Sequence, residues 1–125
     1  MFILSADKST LTPEQNAARA EEMERALWIG GGVWERGVGW WCGVPEVSFR
    51  VSMPLKEALR LAAEFEQEAI LDEDKGVYDV VTGKLTMAVF KRVESPNVAE
   101  FMEGWSDFPS TGRFGLLLES VEVTA

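Results

Sequence analysis

Residues 46–65 impose the tightest constraint on the fold. Val47, Phe49 and Val51 alternate with Glu46, Ser48 and Arg50. Side chains on a strand point to opposite faces at a period of two, so this run is a strand with one buried face. Pro54 follows where a helix can start, and Leu55, Ala58, Leu59, Ala62 and Phe65 fall at helical spacing on one stripe. A strand and a helix that each bury one face need a shared core.

The rest of the chain supplies the partners. Residues 2–6 read as a first strand. Thr12, Pro13 and Gln15 then mark a helix start, with Thr12 as N-cap, Pro13 at the first helical position and Gln15 three residues on, as a capping box requires. The spacing predicts a helix to about residue 28 with Ala20, Met23 and Leu27 on its buried stripe, stopped by Gly30-Gly31-Gly32. Asn16 lies on that stripe near the start. A helix-interior asparagine is unfavourable unless its amide bonds elsewhere. The glycine run follows a helix instead of preceding one, which argues against phosphate binding and makes it a connector.

Residues 33–41, with Trp40 and Trp41 on opposite faces, are expected to form a hairpin with residues 46–51. Residues 69–71 read as a short strand. Residues 77–81 and 85–93 flank Thr82-Gly83-Lys84 as a second hairpin. Ser95-Pro96 start an expected third helix reaching about residue 103, residues 104–112 read as a loop, and residues 114–123 read as a last strand. The expected order is β-α-β-β-α-β-β-β-α-β. That makes the class α+β: a single domain over 1–125, a mainly antiparallel sheet with two to three helices packed on it.

Composition excludes several chemistries. There is no histidine, so the usual proton shuttle and commonest metal ligand are missing, and Ser-His-Asp and Cys-His mechanisms fall away. Cys42 is the single cysteine, between Trp41 and Gly43. It reads as inert packing, forms no intramolecular disulfide and fits a cytoplasmic location. No apolar run nears the roughly 20 residues that span a bilayer. No cofactor motif is present, so no cofactor is expected.

The net charge is -9, a field that repels nucleic acid and anionic lipid and attracts basic surfaces. No direct nucleic-acid or membrane partner is expected. Such acidity serves solubility alone or marks mimicry of a polyanion.

Two groups of polar residues are candidates. The first is an interaction surface of Glu64, Glu66, Glu68, Asp72, Glu73 and Asp74 with Trp40 as an aromatic anchor. These carboxylates have no metal-ligand spacing, so a solvated acidic face is expected and no metal site. The second is a set comprising Asn16, Glu46, Ser48 and Gln67, with Glu68 alongside. Gln67 on a strand shares a face with Ala69 and Leu71, and a buried amide must find partners. This set is either a structural hydrogen-bond network tying the first helix to the sheet or the lining of a pocket. No catalytic residue is assigned.

Ser5-Ala6-Asp7-Lys8 before the Asn16 helix, Glu46-Val47-Ser48-Phe49, and Phe65-Glu66-Gln67-Glu68-Ala69-Ile70 together resemble a family of short uncharacterised bacterial and phage proteins. The resemblance covers about residues 2–71 and departs from the family in the tryptophan-rich segment 34–41. It implies no activity. Its context is that of small accessory proteins, often carried by mobile elements.

Three readings follow. The first is a small acidic non-enzymatic binding protein, a phage or mobile-element product that inhibits or modulates a host protein (a defence or nucleic-acid-handling protein) with a basic surface. The alternative is a small carboxylate-dependent hydrolase or ligand-binding domain with a pocket at Glu46, Gln67 and Glu68. The third is a structural role as a homo-oligomer.

Overall fold

In the computed structural model, which describes residues 1–41, 44–96 and 104–121, the elements are β1 (Phe2–Ser5), α1 (Pro13–Gly30), β2 (Val33–Trp41), β3 (Val44–Ser52), α2 (Leu55–Glu64), β4 (Ala69–Asp72), β5 (Gly76–Asp79), β6 (Leu85–Glu94), β7 (Gly104–Phe108) and β8 (Gly112–Ser120). The strands pair antiparallel in the order β1-β3-β2-β7-β8-β6-β5-β4, and β4 returns to β1 to close a barrel. β1 makes the closure. It pairs with β3 through Leu4↔Phe49 and with β4 through Phe2↔Asp72.

This corrects the expected α+β arrangement of a sheet with helices packed on it. The architecture is a closed eight-stranded antiparallel barrel with two helices among the described residues. Alternation within a strand tells which residues are buried. It does not tell whether the two edges of a sheet meet, because that depends on pairing between strands distant in sequence.

A second correction is β7, which occupies residues expected as loop. Its Ser106 and Phe108 are buried while Trp105 and Asp107 are partly exposed, so each face mixes polar and aromatic residues and no binary pattern marks it. The expected third helix (residues 97–103) and the reading of Cys42 lie outside the described residues.

The helix starts follow from sequence. Thr12 Oγ1 accepts from Gln15 N at 3.2 Å while Gln15 Oε1 accepts from Thr12 N at 3.0 Å, a reciprocal capping box. α1 ends on Gly31 in the left-handed region at φ 70°. Ala20, Met23 and Leu27 of α1, with Ala58 and Ala62 of α2 and Phe65 just after it, cover the outside of the barrel at Phe2, Leu4, Phe49, Val51 and Ile70. Ile3, Phe108, Phe114 and Leu116 form a separate cluster, with Leu71, Val89 and Leu118 packed against it. The period of two in β1 thus divides one strand between two cores. Phe2 and Leu4 meet the helices, and Ile3 faces the lumen.

One end of the lumen is filled. Buried Glu73 accepts from Arg50 Nε at 2.7 Å and from Arg92 Nη1 at 3.0 Å, and the Arg92 guanidinium lies 4.0 Å from the centre of the Phe114 ring. Nearby, a Cβ on Gly37 would strike the Phe108 ring and the Asp107 carbonyl, so the bare glycine admits that ring. No helix among the described residues is long and apolar enough to cross a membrane.

Candidate functional site

The other end of the lumen is open. A cavity of about 630 Å³ has apolar walls at Ile3, Leu71, Val77, Phe114, Leu116 and Leu118, and a polar mouth that includes Ser5, Asp7, Glu46, Ser48, Gln67 and Ser106. An eight-stranded barrel is just wide enough either to be filled by side chains or to hold one small ligand. The room at the mouth has a local cause. Gly39 in β2 faces Ser48 in β3, and a Cβ there would stand 2.6 Å from Ser48 Oγ. Any larger residue would push into the space that Ser48 and Glu46 now border.

Asp7 and Glu46 define the electrostatics of this mouth. Asp7 follows β1 and continues its alternation beyond Ile3 and Ser5. Its Oδ2 accepts from Val47 N at 3.1 Å, and its carbonyl accepts from Gln67 Nε2 at 3.1 Å. Oδ1 is buried and has no hydrogen-bond partner. Burial raises the Asp7 pKa, against the opposing pull of the Val47 N–H and the more distant charges of Arg36 and Arg19.

Burial also pushes the Glu46 carboxyl up to about 7 from its ordinary 4.5, with the Asp7 charge adding to the rise and the Ser5 hydroxyl opposing it. The Ser5 hydroxyl has one proton, and it is donated to Val47 O at 2.8 Å, while Ser5 Oγ accepts from Asp7 N at 3.1 Å. Near neutral pH the mouth holds a carboxyl pair with a proton to exchange.

A family model described as a protein of unknown function, DUF3293, matches residues 8–70 of the 125. The chain belongs to this family. No curated protein matches it. The DUF3293 segment runs from the loop after β1 into β4, so it contains Asn16, Glu46, Ser48 and Gln67. It leaves out Ser5, Asp7 and the β5–β8 wall of the cavity.

The structure brings together Glu46, Ser48, Gln67 and Glu68 on the cavity. Asn16 also reaches its edge, but both ends of its amide are engaged: Oδ1 accepts from Lys8 N at 2.9 Å and Nδ2 donates to Lys8 O at 3.0 Å. It clamps the loop that carries Asp7. The acidic run is divided. Glu64, Glu66, Glu68 and Asp74 are exposed, whereas Asp72 and Glu73 are buried. Asp72 Oδ1 accepts from Asp74 N at 2.9 Å in the turn between β4 and β5, and Glu73 plugs the barrel.

Trp40 is half-buried and stacks on Trp105, with ring centroids 6.0 Å apart. It lines the mouth of the same cavity as Glu66 and Glu68. Sequence reasoning missed Asp7 and Ser5 as site residues. The signal for both was the period of two continuing from Ile3 to residues 5 and 7.

Proposed function

We propose that this protein binds a small organic molecule in the open end of its barrel, with Glu46 changing its protonation state as the molecule enters. The observation that carries the reading is the coincidence, in one cavity, of apolar walls and a carboxyl pair whose Asp7 Oδ1 lacks a partner. Ligand sites are concave and mostly apolar with a few convergent polar groups, and titrating groups displaced toward neutrality are frequent in them. A Glu poised near 7 also suits general acid or base work, so a carboxylate-dependent hydrolase is the catalytic form of the same reading.

The test is protein-observed NMR of the ¹⁵N-labelled chain with a library of neutral, cationic and anionic fragments. Hits are expected to perturb Gly39, Ser48 and Ser106 amides and to be lost in Gly39→Val, which fills the mouth without altering a carboxyl. A library with no hit sensitive to Gly39→Val would overturn the proposal.

A second reading, a phage or mobile-element modulator that engages a basic host surface, is supported by the net charge of -9. The residues available to it are Glu64, Glu68 and Asp74, since Glu66 is paired with Lys8 at 3.3 Å and with Arg19 at 3.8 Å. Reversing Glu64, Glu68 and Asp74 to lysine should abolish capture of such a partner. Unchanged capture would count against it.

A further inference from the structure

Resting on the cavity-binding reading, we infer that the ligand is an organic cation, an ammonium or guanidinium carried on an apolar body, and that Glu46 releases its proton to solvent as the cation enters.

The charges around the mouth point this way. Among the described residues Lys8, Arg19 and Arg36 lie near it and are met by two carboxylates: Lys8 and Arg19 share Glu66, and Arg36 pairs with Glu24 at 3.3 Å, which leaves one positive charge over. Asp7, Glu46 and Glu68 all line the cavity and have no ion-pair partner among the described residues. From β7 the cavity is lined by Gly104, Trp105 and Ser106, none of them charged. The uncompensated charge facing the lumen is therefore negative.

Asp7 Oδ1 adds an independent requirement. It is buried and accepts nothing, so the Asp7 charge is offset only by the Val47 N–H on Oδ2 and by the distant Arg36 and Arg19, and a cation held in the cavity would offset it further without touching Oδ1. The Ser5 hydroxyl cannot serve, because its proton is on Val47 O. Below the carboxyls the walls are Ile3, Leu71, Phe114 and Leu116, with no charge among the described residues until the Arg50–Glu73–Arg92 plug. A cationic head at the mouth and an apolar tail in the lumen match this order of chemistry.

The proton balance follows. With the site empty, two neighbouring carboxyls resist joint ionisation, so one proton is retained. An entering cation replaces that proton's charge, Glu46 loses H⁺ to the buffer, and the complex contains two carboxylates and one ammonium.

The experiment is calorimetric titration of the full chain with n-hexylamine, n-hexanol and n-hexanoate, each in phosphate and in HEPES, at pH 6 and pH 8. Hexylamine is expected to bind, to release close to one proton per molecule at pH 6, and to bind about tenfold more tightly at pH 8, the ratio set by a group titrating near 7. Glu46→Gln should abolish proton release and the pH dependence, and Gly39→Val should abolish binding.

Hexanol or hexanoate binding in preference to hexylamine would overturn the cation inference and leave the cavity reading standing. Hexylamine binding without proton release, or binding undiminished in Gly39→Val, would overturn it as well. No binding by any of the three also overturns it, and the fragment library then decides the cavity reading separately.

Discussion

The Val47 backbone N–H donates to Asp7 Oδ2 at 3.1 Å, and this bond fixes a carboxylate whose other oxygen is buried without a partner in the cavity that Glu46 lines. The bond needs only an oxygen, whereas the influence of Asp7 on Glu46 needs a charge. Asp7→Asn separates the two. It is expected to keep the Val47 bond through its amide oxygen and to lower the Glu46 titration midpoint, read from the side-chain carboxyl carbon by NMR. A midpoint equal to that of the parent would show that the two carboxyls do not interact.

Stability should carry the mark of Glu46. Its folded pKa of about 7 lies above the ordinary 4.5, so between those values the folded state holds a proton that the unfolded chain has released. Stability from this group is highest below pH 4.5 and falls as pH rises through 7. The difference amounts to about 3 kcal/mol. Glu46→Gln is neutral throughout and lacks this slope. Denaturant unfolding at pH 5 and pH 8 should show the parent losing stability relative to Glu46→Gln; parallel behaviour would contradict the assignment.

The plug predicts a larger mechanical effect. Removing the carboxylate from Glu73 leaves Arg50 and Arg92 without their shared partner, and breaking such a buried pair costs about 3–5 kcal/mol. Glu73→Gln should therefore unfold at much lower denaturant. Glu94→Gln removes only an exposed partner of Arg92 and should change stability by less than about 1 kcal/mol. Equal effects from the two variants would refute the sealing role of Glu73.

Asn16 supplies a contrast between a structural and a ligand-contacting residue. Asn16→Ala deletes both hydrogen bonds to Lys8 and is expected to cost about 1–2 kcal/mol of stability in denaturant unfolding. A loss no larger than that of a surface substitution would place the amide in another role.

Local chemistry was legible in the sequence where a residue's effect is local. The Thr12–Gln15 capping box, the Gly31 stop, the buried stripe of α1 and the alternation of β3 follow from neighbours within a few positions. The barrel did not follow, because its closure depends on β1 meeting β4, and neither strand announces its second partner. The same limit applies to the site. Glu46, Ser48 and Gln67 stood out as polar residues beside apolar runs, whereas Asp7 read as loop because the strand before it is short. Asp72 and Glu73 read as surface, because a lone carboxylate in a turn gives no sign that Arg50 and Arg92 converge on it.

The most direct test of the account is the titration of Glu46 itself, with the carboxyl carbon followed by NMR from pH 3 to pH 9 in the unmodified protein. The barrel mouth as described predicts a midpoint near 7. A midpoint near the ordinary 4.5 would mean that Glu46 is solvated and free of Asp7, and would contradict both the proton-exchanging cavity and the cation inference built on it.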